Sequence, residues 1–223
     1  EKENFRLTER FLDDLTDDLD MAFLCSPSNP AGQVIPEALL RKVISRCQEK
    51  GIGLVLDECF IEFADKEKAF YAEREAAAYP QMFVARAFTK MHAIPGLRLG
   101  YGITSDTELM ERMSRARQPW SVSIPAQEAG IAALSEEEAL KTEKTRILIQ
   151  AERARMEQEL AGLGIHVIPS EANFILMHSS MDLAEKLKGK GILIRDCGNY
   201  RGLEKGWYRA AVRLPEENDL LLK

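Results

Sequence analysis

Short, nearly unbroken apolar runs alternate with helix-patterned stretches through the first half of the chain, and this alternation restricts the fold more than any other feature. The runs lie at Met21–Cys25, 54–56, Met82–Ala87 and 97–103. A strand buried on both faces reads as a continuous apolar run, which is the condition of a strand inside an α/β sheet. Between the first two runs, residues 36–49 read as a helix. Pro36 opens it, Leu39, Leu40, Val43 and Ile44 line one face, and Gly51 ends it. A Ser105-x-x-Glu108 box predicts a second helix to about Arg117, and Ser135-x-x-Glu138 predicts an unusually long third one to Gly162, carrying Leu140, Ile147, Leu148, Ala151 and Leu160.

Beyond that helix the texture changes. Residues 166–168, 173–177, 192–195 and 207–212 read as strands, with a helix near 181–188. The expected organisation is a large α/β domain with a mostly parallel sheet over 1–130, a connecting helix over 131–162, and a small α+β domain over 163–223. Both ends are expected to be cut: the opening has no clean domain start, and the chain stops inside a helix after Pro215.

Composition excludes several classes. At 223 residues and 45% hydrophobic content a packed protein is expected, not a disordered one. The net charge of -6, with both signs interspersed, argues against a nucleic-acid footprint, which needs a basic face. No apolar run is long enough to span a bilayer, and the opening Glu-Lys-Glu-Asn is not a signal peptide. Cys25, Cys47, Cys59 and Cys197 are scattered, as buried small hydrophobes in a reducing cytoplasm are. His92, His166 and His178 lack ligand spacing, so no metal site is expected.

Four polar segments follow the apolar runs. Ser26-Pro27-Ser28-Asn29-Pro30-Ala31-Gly32 follows the first and Asp57-Glu58 the second. Thr89-Lys90 follows the third, and Arg98 precedes Leu99-Gly100-Tyr101 in the fourth. Ligands of open α/β sheets sit beyond the carboxyl ends of strands, so these segments are able to converge on one edge. A lysine amine forms a Schiff base with an aldehyde, and a guanidinium forks a phosphate. An aldehyde and a phosphate on one small molecule describe pyridoxal phosphate.

The ordered set Asn-Pro-x-Gly, Asp-Glu-x-Phe, Thr-Lys and Gly-Leu-Arg-Leu-Gly-Tyr resembles the fold-type I pyridoxal-phosphate enzymes of the class I/II aminotransferase superfamily. More narrowly it is similar to the group containing histidinol-phosphate aminotransferase and L-threonine-O-3-phosphate decarboxylase. The resemblance covers essentially the whole chain and implies the two-domain aminotransferase fold with part of its N-terminal region missing. It implies that Lys90 holds the cofactor covalently and moves protons, and that Asp57 keeps the pyridine nitrogen protonated. Asn29 would donate to the phenolic oxygen, while Thr89 and Arg98 would bind the cofactor phosphate. Phe60 stands where many relatives have Tyr, and Ala31 where Thr is usual.

Arg195 and Arg209, taken alone, are surface arginines on strand ends. By the resemblance, Arg209 forks the substrate α-carboxylate and Arg195 helps bind a substrate phosphate. The Cys197-x-Asn199-Tyr200-x-Gly202-Leu203 segment and Gln118-Pro119-Trp120-Ser121-Val122 are closer to the decarboxylase. The implied reaction is decarboxylation of L-threonine O-3-phosphate to 1-amino-2-propanol O-2-phosphate, a step of cobalamin biosynthesis. The alternative is amino transfer to 2-oxoglutarate by an enzyme of the histidinol-phosphate type. More remote is a non-catalytic pyridoxal-phosphate-binding regulator. The family implies a cytoplasmic homodimer acting on a small amino-acid phosphate, without nucleic acid or membrane.

Overall fold

The computed structural model describes residues 3–223; Glu1 and Lys2, which open the Glu-Lys-Glu-Asn start, lie outside the described residues. The first sheet orders β1 (Met21–Cys25), β2 (Gly53–Asp57), β3 (Met82–Ala87) and β4 (Gly100–Ile103) in sequence. The first three strands are parallel, joined by α1 (Glu37–Lys50) and α2 (Glu73–Ala78), because parallel neighbours need a crossover. Leu39, Leu40, Val43, Ile44 and Cys47 of α1 bury themselves against Leu54, Leu56, Met82 and Val84. Burial on this scale contributes about 1.5–3 kcal/mol for each large side chain. Gly51, at φ 69°, closes α1 in the left-handed conformation that glycine adopts freely.

The fourth strand runs the other way, its Gly100 facing Ala87. The expected run at 97–103 is therefore shorter as a strand. Pro95–Leu97 forms a 3-10 turn and Arg98 takes φ 54°, so neither joins the ladder. An antiparallel return leaves and re-enters the sheet at the same edge. The whole 88–99 connection consequently lies at the carboxyl edge of β1, β2 and β3.

Beyond β4, α3 (Thr107–Ala116) is capped one residue later than expected: Asp106 accepts from the Leu109 N–H at 2.8 Å, while Ser105 donates its hydroxyl to Ala76 O at 3.0 Å. A further helix that the sequence pattern does not predict, α4 (Ile124–Ala133), follows and is capped by Ser123. The long helix α5 (Glu136–Gly162) starts at the predicted Ser135 cap. Its buried stripe is Ile149, Met156 and Leu160, with Arg146, Glu152 and Arg153; Leu140 and Ile147 are exposed. Those charges are satisfied where they are buried. Arg153 donates to Ala172 O at 2.9 Å, and Glu152 accepts from Asn218 of α7 (Pro215–Leu222) at 2.8 Å.

The second sheet is antiparallel in the order β5 (His166–Ile168), β6 (Phe174–His178), β8 (Trp207–Ala211), β7 (Arg195–Asp196). The predicted strand at 192–195 pairs only at its end. The Ile192 N–H instead bonds Leu187 O at 2.9 Å, closing α6 (Leu183–Lys188). One face of this sheet packs on α5 through Ile175, Met177, Tyr208 and Ala210. Phe63 and Met91, from connections of the first sheet, enter the same cluster. Among the described residues no helix is long and apolar enough to cross a membrane.

Candidate active site

Cys25, Asp57 and Ala85 stand side by side across β1, β2 and β3. Alternation along β2 turns Leu54 and Leu56 toward α1 and leaves Val55 and Asp57 on the opposite face. Asn29 follows β1 by four residues, and Thr89 and Lys90 follow β3 within three. Asp57 is half-buried and accepts the Cys59 N–H at 2.9 Å, which fixes the turn at the end of β2. Lys90 is exposed, with its Nζ 5.3 Å from the centre of the Phe60 ring. Arg98 lies at the far end of the same connection and donates to Pro95 O at 2.9 Å.

From Lys90 a continuous set of contacts leads into the second sheet. Phe60 meets Phe174 edge-on at 5.1 Å, and the Arg209 guanidinium lies 5.0 Å from the centre of the Phe174 ring. Arg209 also donates to the side-chain oxygen of Asn29. Arg195 stands directly opposite Arg209 across β7 and β8, so both side chains leave the sheet on one face. Like charges placed opposite one another are unfavourable unless an anion joins them. Arg195 donates to Asn199 at 3.1 Å and lies 5.8 Å from the centre of the Tyr200 ring.

The second sheet approaches Asn29 closely because of Gly32, which takes φ +75°. A Cβ built there would lie 2.0 Å from Ser170 Oγ. The Glu171 N–H donates to Gly32 O at 2.6 Å, and the Val34 N–H to the Glu171 carboxylate at 3.1 Å. The glycine of Asn-Pro-x-Gly thus does two things: it turns the chain and admits Ser170.

Ion pairing is uneven across the surface. Several basic groups elsewhere are matched: Arg86 with Glu58 and Glu73, Lys66 and Arg146 with Glu143, Arg155 with Glu152, Glu159 and Asp219. Burial works against the charge on Arg86, but the Glu58 carboxylate outweighs it and holds the guanidinium protonated. Lys90, Arg98, Arg195, Arg209 and Asp57 form no ion pair among the described residues. Burial, and after it the charge of Asp57, pushes the Cys25 thiol up to about 12. Cys59 is pushed up to about 12 as well, by burial first and then by its bond to Asp57, with the Lys90 charge acting in the opposite sense. The two thiols therefore stay neutral beside an acid.

An unpaired lysine and a lone carboxylate at a strand edge, facing two opposed arginines, suit an anionic small molecule that carries a carbonyl group. The sequence matches the family described as aminotransferase class I and II over residues 2–222. The chain belongs to that family. Threonine-phosphate decarboxylase of Salmonella typhimurium is 40% identical over 226 residues, covering 100% of this chain and 61% of that protein. The chain thus spans less than two thirds of that relative's length. The crystal structure of histidinol-phosphate aminotransferase from Clostridium acetobutylicum superimposes with a TM-score of 0.91 at 31% identity, covering 99% of this chain and 67% of that one. Histidinol-phosphate aminotransferase from Sinorhizobium meliloti, solved in complex with pyridoxal-5'-phosphate, has a TM-score of 0.79 at 26% identity over 91% of this chain and 55% of its own.

Within this family fold, Asn29 and Arg209 are brought into direct contact, and Lys90 is joined to them through Phe60 and Phe174. Asp57 shares the edge with them. Thr89 is half-buried and makes no side-chain hydrogen bond among the described residues, and Arg98 is held by Pro95. Phe174 was not anticipated as a site residue. Its run reads as an ordinary buried strand, and only the approach of the second sheet to Phe60 sets it between lysine and arginine.

Proposed function

We infer that the chain is the greater part of a pyridoxal-phosphate-dependent enzyme that decarboxylates L-threonine O-3-phosphate to 1-amino-2-propanol O-2-phosphate. The observation that carries this reading is the opposed pair Arg195 and Arg209, without an acid partner among the described residues, on the face that meets Asn29. Two forked cations suit a substrate with an anion at each end. The relative at 40% identity favours decarboxylation over amino transfer.

Lys90 and Asp57 would hold the cofactor at the strand edge, with Thr89 and Arg98 toward its phosphate. Asn29 has its oxygen engaged by Arg209 and keeps its amide N–H groups to donate to the phenolic oxygen. When bound, the cofactor supplies an electron sink for a carbanion at the substrate Cα. Asp57 would pair with the ring nitrogen and keep it protonated, the condition under which the sink is effective. Arg209 forks the α-carboxylate and Arg195 attracts the phosphate, so the substrate is fixed at two points and the Cα–carboxylate bond is oriented. That bond breaks, carbon dioxide leaves, and its electron pair stays with Cα. Lys90 then delivers a proton from Nζ to Cα. Amino transfer, the second reading, uses the same residues with Lys90 removing the Cα proton; the structural likeness to the Clostridium acetobutylicum aminotransferase favours keeping it.

Absorbance spectra of the cofactor-loaded protein and of Lys90→Ala test the cofactor assignment, and a near-visible band that survived the substitution would sink it. Incubation with threonine phosphate decides the reaction. Carbon dioxide release without 2-oxoglutarate supports the lyase, and 2-oxoglutarate-dependent amino transfer replaces it with the second reading.

A further inference from the structure

Beside Asn29 lies a cavity of about 390 Å³, with Ser28 and Asn29 on one side and Tyr200, Arg201 and Leu203 on the other. Among the described residues Arg201 is the one charged side chain in its wall, and no acid lines it. Arg201 makes no ion pair or hydrogen bond through its guanidinium among the described residues.

The loop that carries Arg201 is held at both ends. Cys197 and Leu203 are buried in one cluster with Ala31, Leu176 and Trp207. The Cys197 N–H bonds Trp207 O at 2.8 Å, the Tyr200 N–H bonds Cys197 O at 3.0 Å, and the Leu203 N–H bonds Tyr200 O at 3.1 Å. Gly202 supplies the left-handed residue, φ +86°, that the turn requires. Arg195, by contrast, is not in the cavity wall; it reaches Asn199 and Tyr200 of the same loop. Tyr200 is therefore flanked by a guanidinium bound to its own loop and by one that lines the cavity.

We propose that Arg201 is a specificity-determining residue that contacts a phosphomonoester at the end of the substrate remote from its α-carboxylate. This rests on the substrate reading above and adds a third arginine to it. A phosphomonoester carries a charge of about -1.5 to -2 at neutral pH. With the α-carboxylate, such a substrate brings close to three negative charges to Arg195, Arg201 and Arg209. A cavity wall with one cation and no acid suits that group and disfavours an uncharged or cationic one.

The test is rapid-mixing titration, read in the cofactor absorbance before turnover, of the cofactor-loaded protein and its Arg201→Gln and Arg201→Lys variants with O-phospho-L-threonine, L-threonine and histidinol phosphate. Loss of a charge-assisted bond of the usual strength predicts that Arg201→Gln weakens O-phospho-L-threonine about 10- to 100-fold. L-threonine should bind all three proteins alike, Arg201→Lys should recover part of the loss, and thermal unfolding should be unchanged because Arg201 is exposed. A wild-type protein that prefers the phosphorylated compounds, with Arg201→Gln keeping that preference, overturns this inference and leaves the substrate reading intact. A wild-type protein that binds neither phosphorylated compound better than L-threonine overturns both.

Discussion

Replacing Gly32 by alanine joins two independent penalties at one atom. At φ +75° an L-residue is strained, which costs about 1 kcal/mol relative to glycine. The added Cβ would sit 2.0 Å from Ser170 Oγ, 2.9 Å from Ser170 Cβ and 3.3 Å from the Phe174 ring. Overpacking of that kind costs about 1–3 kcal/mol after relaxation. Together they put the loss at about 2–4 kcal/mol, which in a chain of this size lowers Tm by roughly 5–15 °C. Urea and thermal unfolding of Gly32→Ala measure it. The decomposition is checked by Ser170→Gly, which gives up the hydroxyl's bonds to Ala172 N–H (3.1 Å) and Gly32 O (3.4 Å) but removes the nearest atoms. In the double variant the clash is gone and the backbone strain remains, so a favourable coupling of about 1–3 kcal/mol is expected. Gly32→Ala should also disturb the turn in which the Gly32 N–H bonds Ser28 O at 2.6 Å and which carries Asn29. A Tm within about 2 °C of the wild type, or zero coupling with Ser170→Gly, would refute the close-approach account.

Arg86→Met leaves Glu58, 1% exposed, as an unpaired buried acid, and should cost about 3–5 kcal/mol in urea unfolding; Glu58→Gln added to it should recover part of that loss. Glu143 is held down at about 2 by its bond to Arg146 and then to Lys66. A depressed acid stabilises above its ordinary value of 4.5 and loses that contribution as pH falls toward 2. The stability difference between wild type and Glu143→Gln should therefore shrink across that window and be absent below it. Cys25 and Cys59, at about 12 against an ordinary 9.0, should alkylate about a thousandfold more slowly at pH 8 than an exposed thiol, and Asp57→Asn should speed both. An unchanged alkylation rate in Asp57→Asn contradicts the placement of that carboxylate. In the loaded enzyme Arg209→Lys should raise the KM for the amino-acid substrate about 10- to 100-fold, and an unchanged KM removes it from carboxylate binding.

Local order was largely legible in the residues. The runs at Met21–Cys25 and Met82–Ala87 are strands as read, α1 ends at Gly51, and α5 begins at Ser135, because period, cap and breaker are short-range signals. Cap registers and strand ends were less so. Asp106 displaced Ser105 because Ser105 found Ala76 O in another element, and residues 192–194 left the ladder because Ile192 closed α6.

The sequence by itself determined which residue types follow each strand, and therefore that Asn29, Asp57 and Lys90 share the carboxyl edge of one sheet. Chain connectivity and strand direction require no more than that. Only the tertiary structure decided that Arg209, 180 residues from Asn29, bonds to it, that Phe174 stands between Lys90 and Arg209, and that Gly32 must be bare to let Ser170 in. Those facts depend on how two sheets pack. Packing is set by buried volumes such as Met91, Met156 and Tyr208 meeting in one core, which no local pattern encodes.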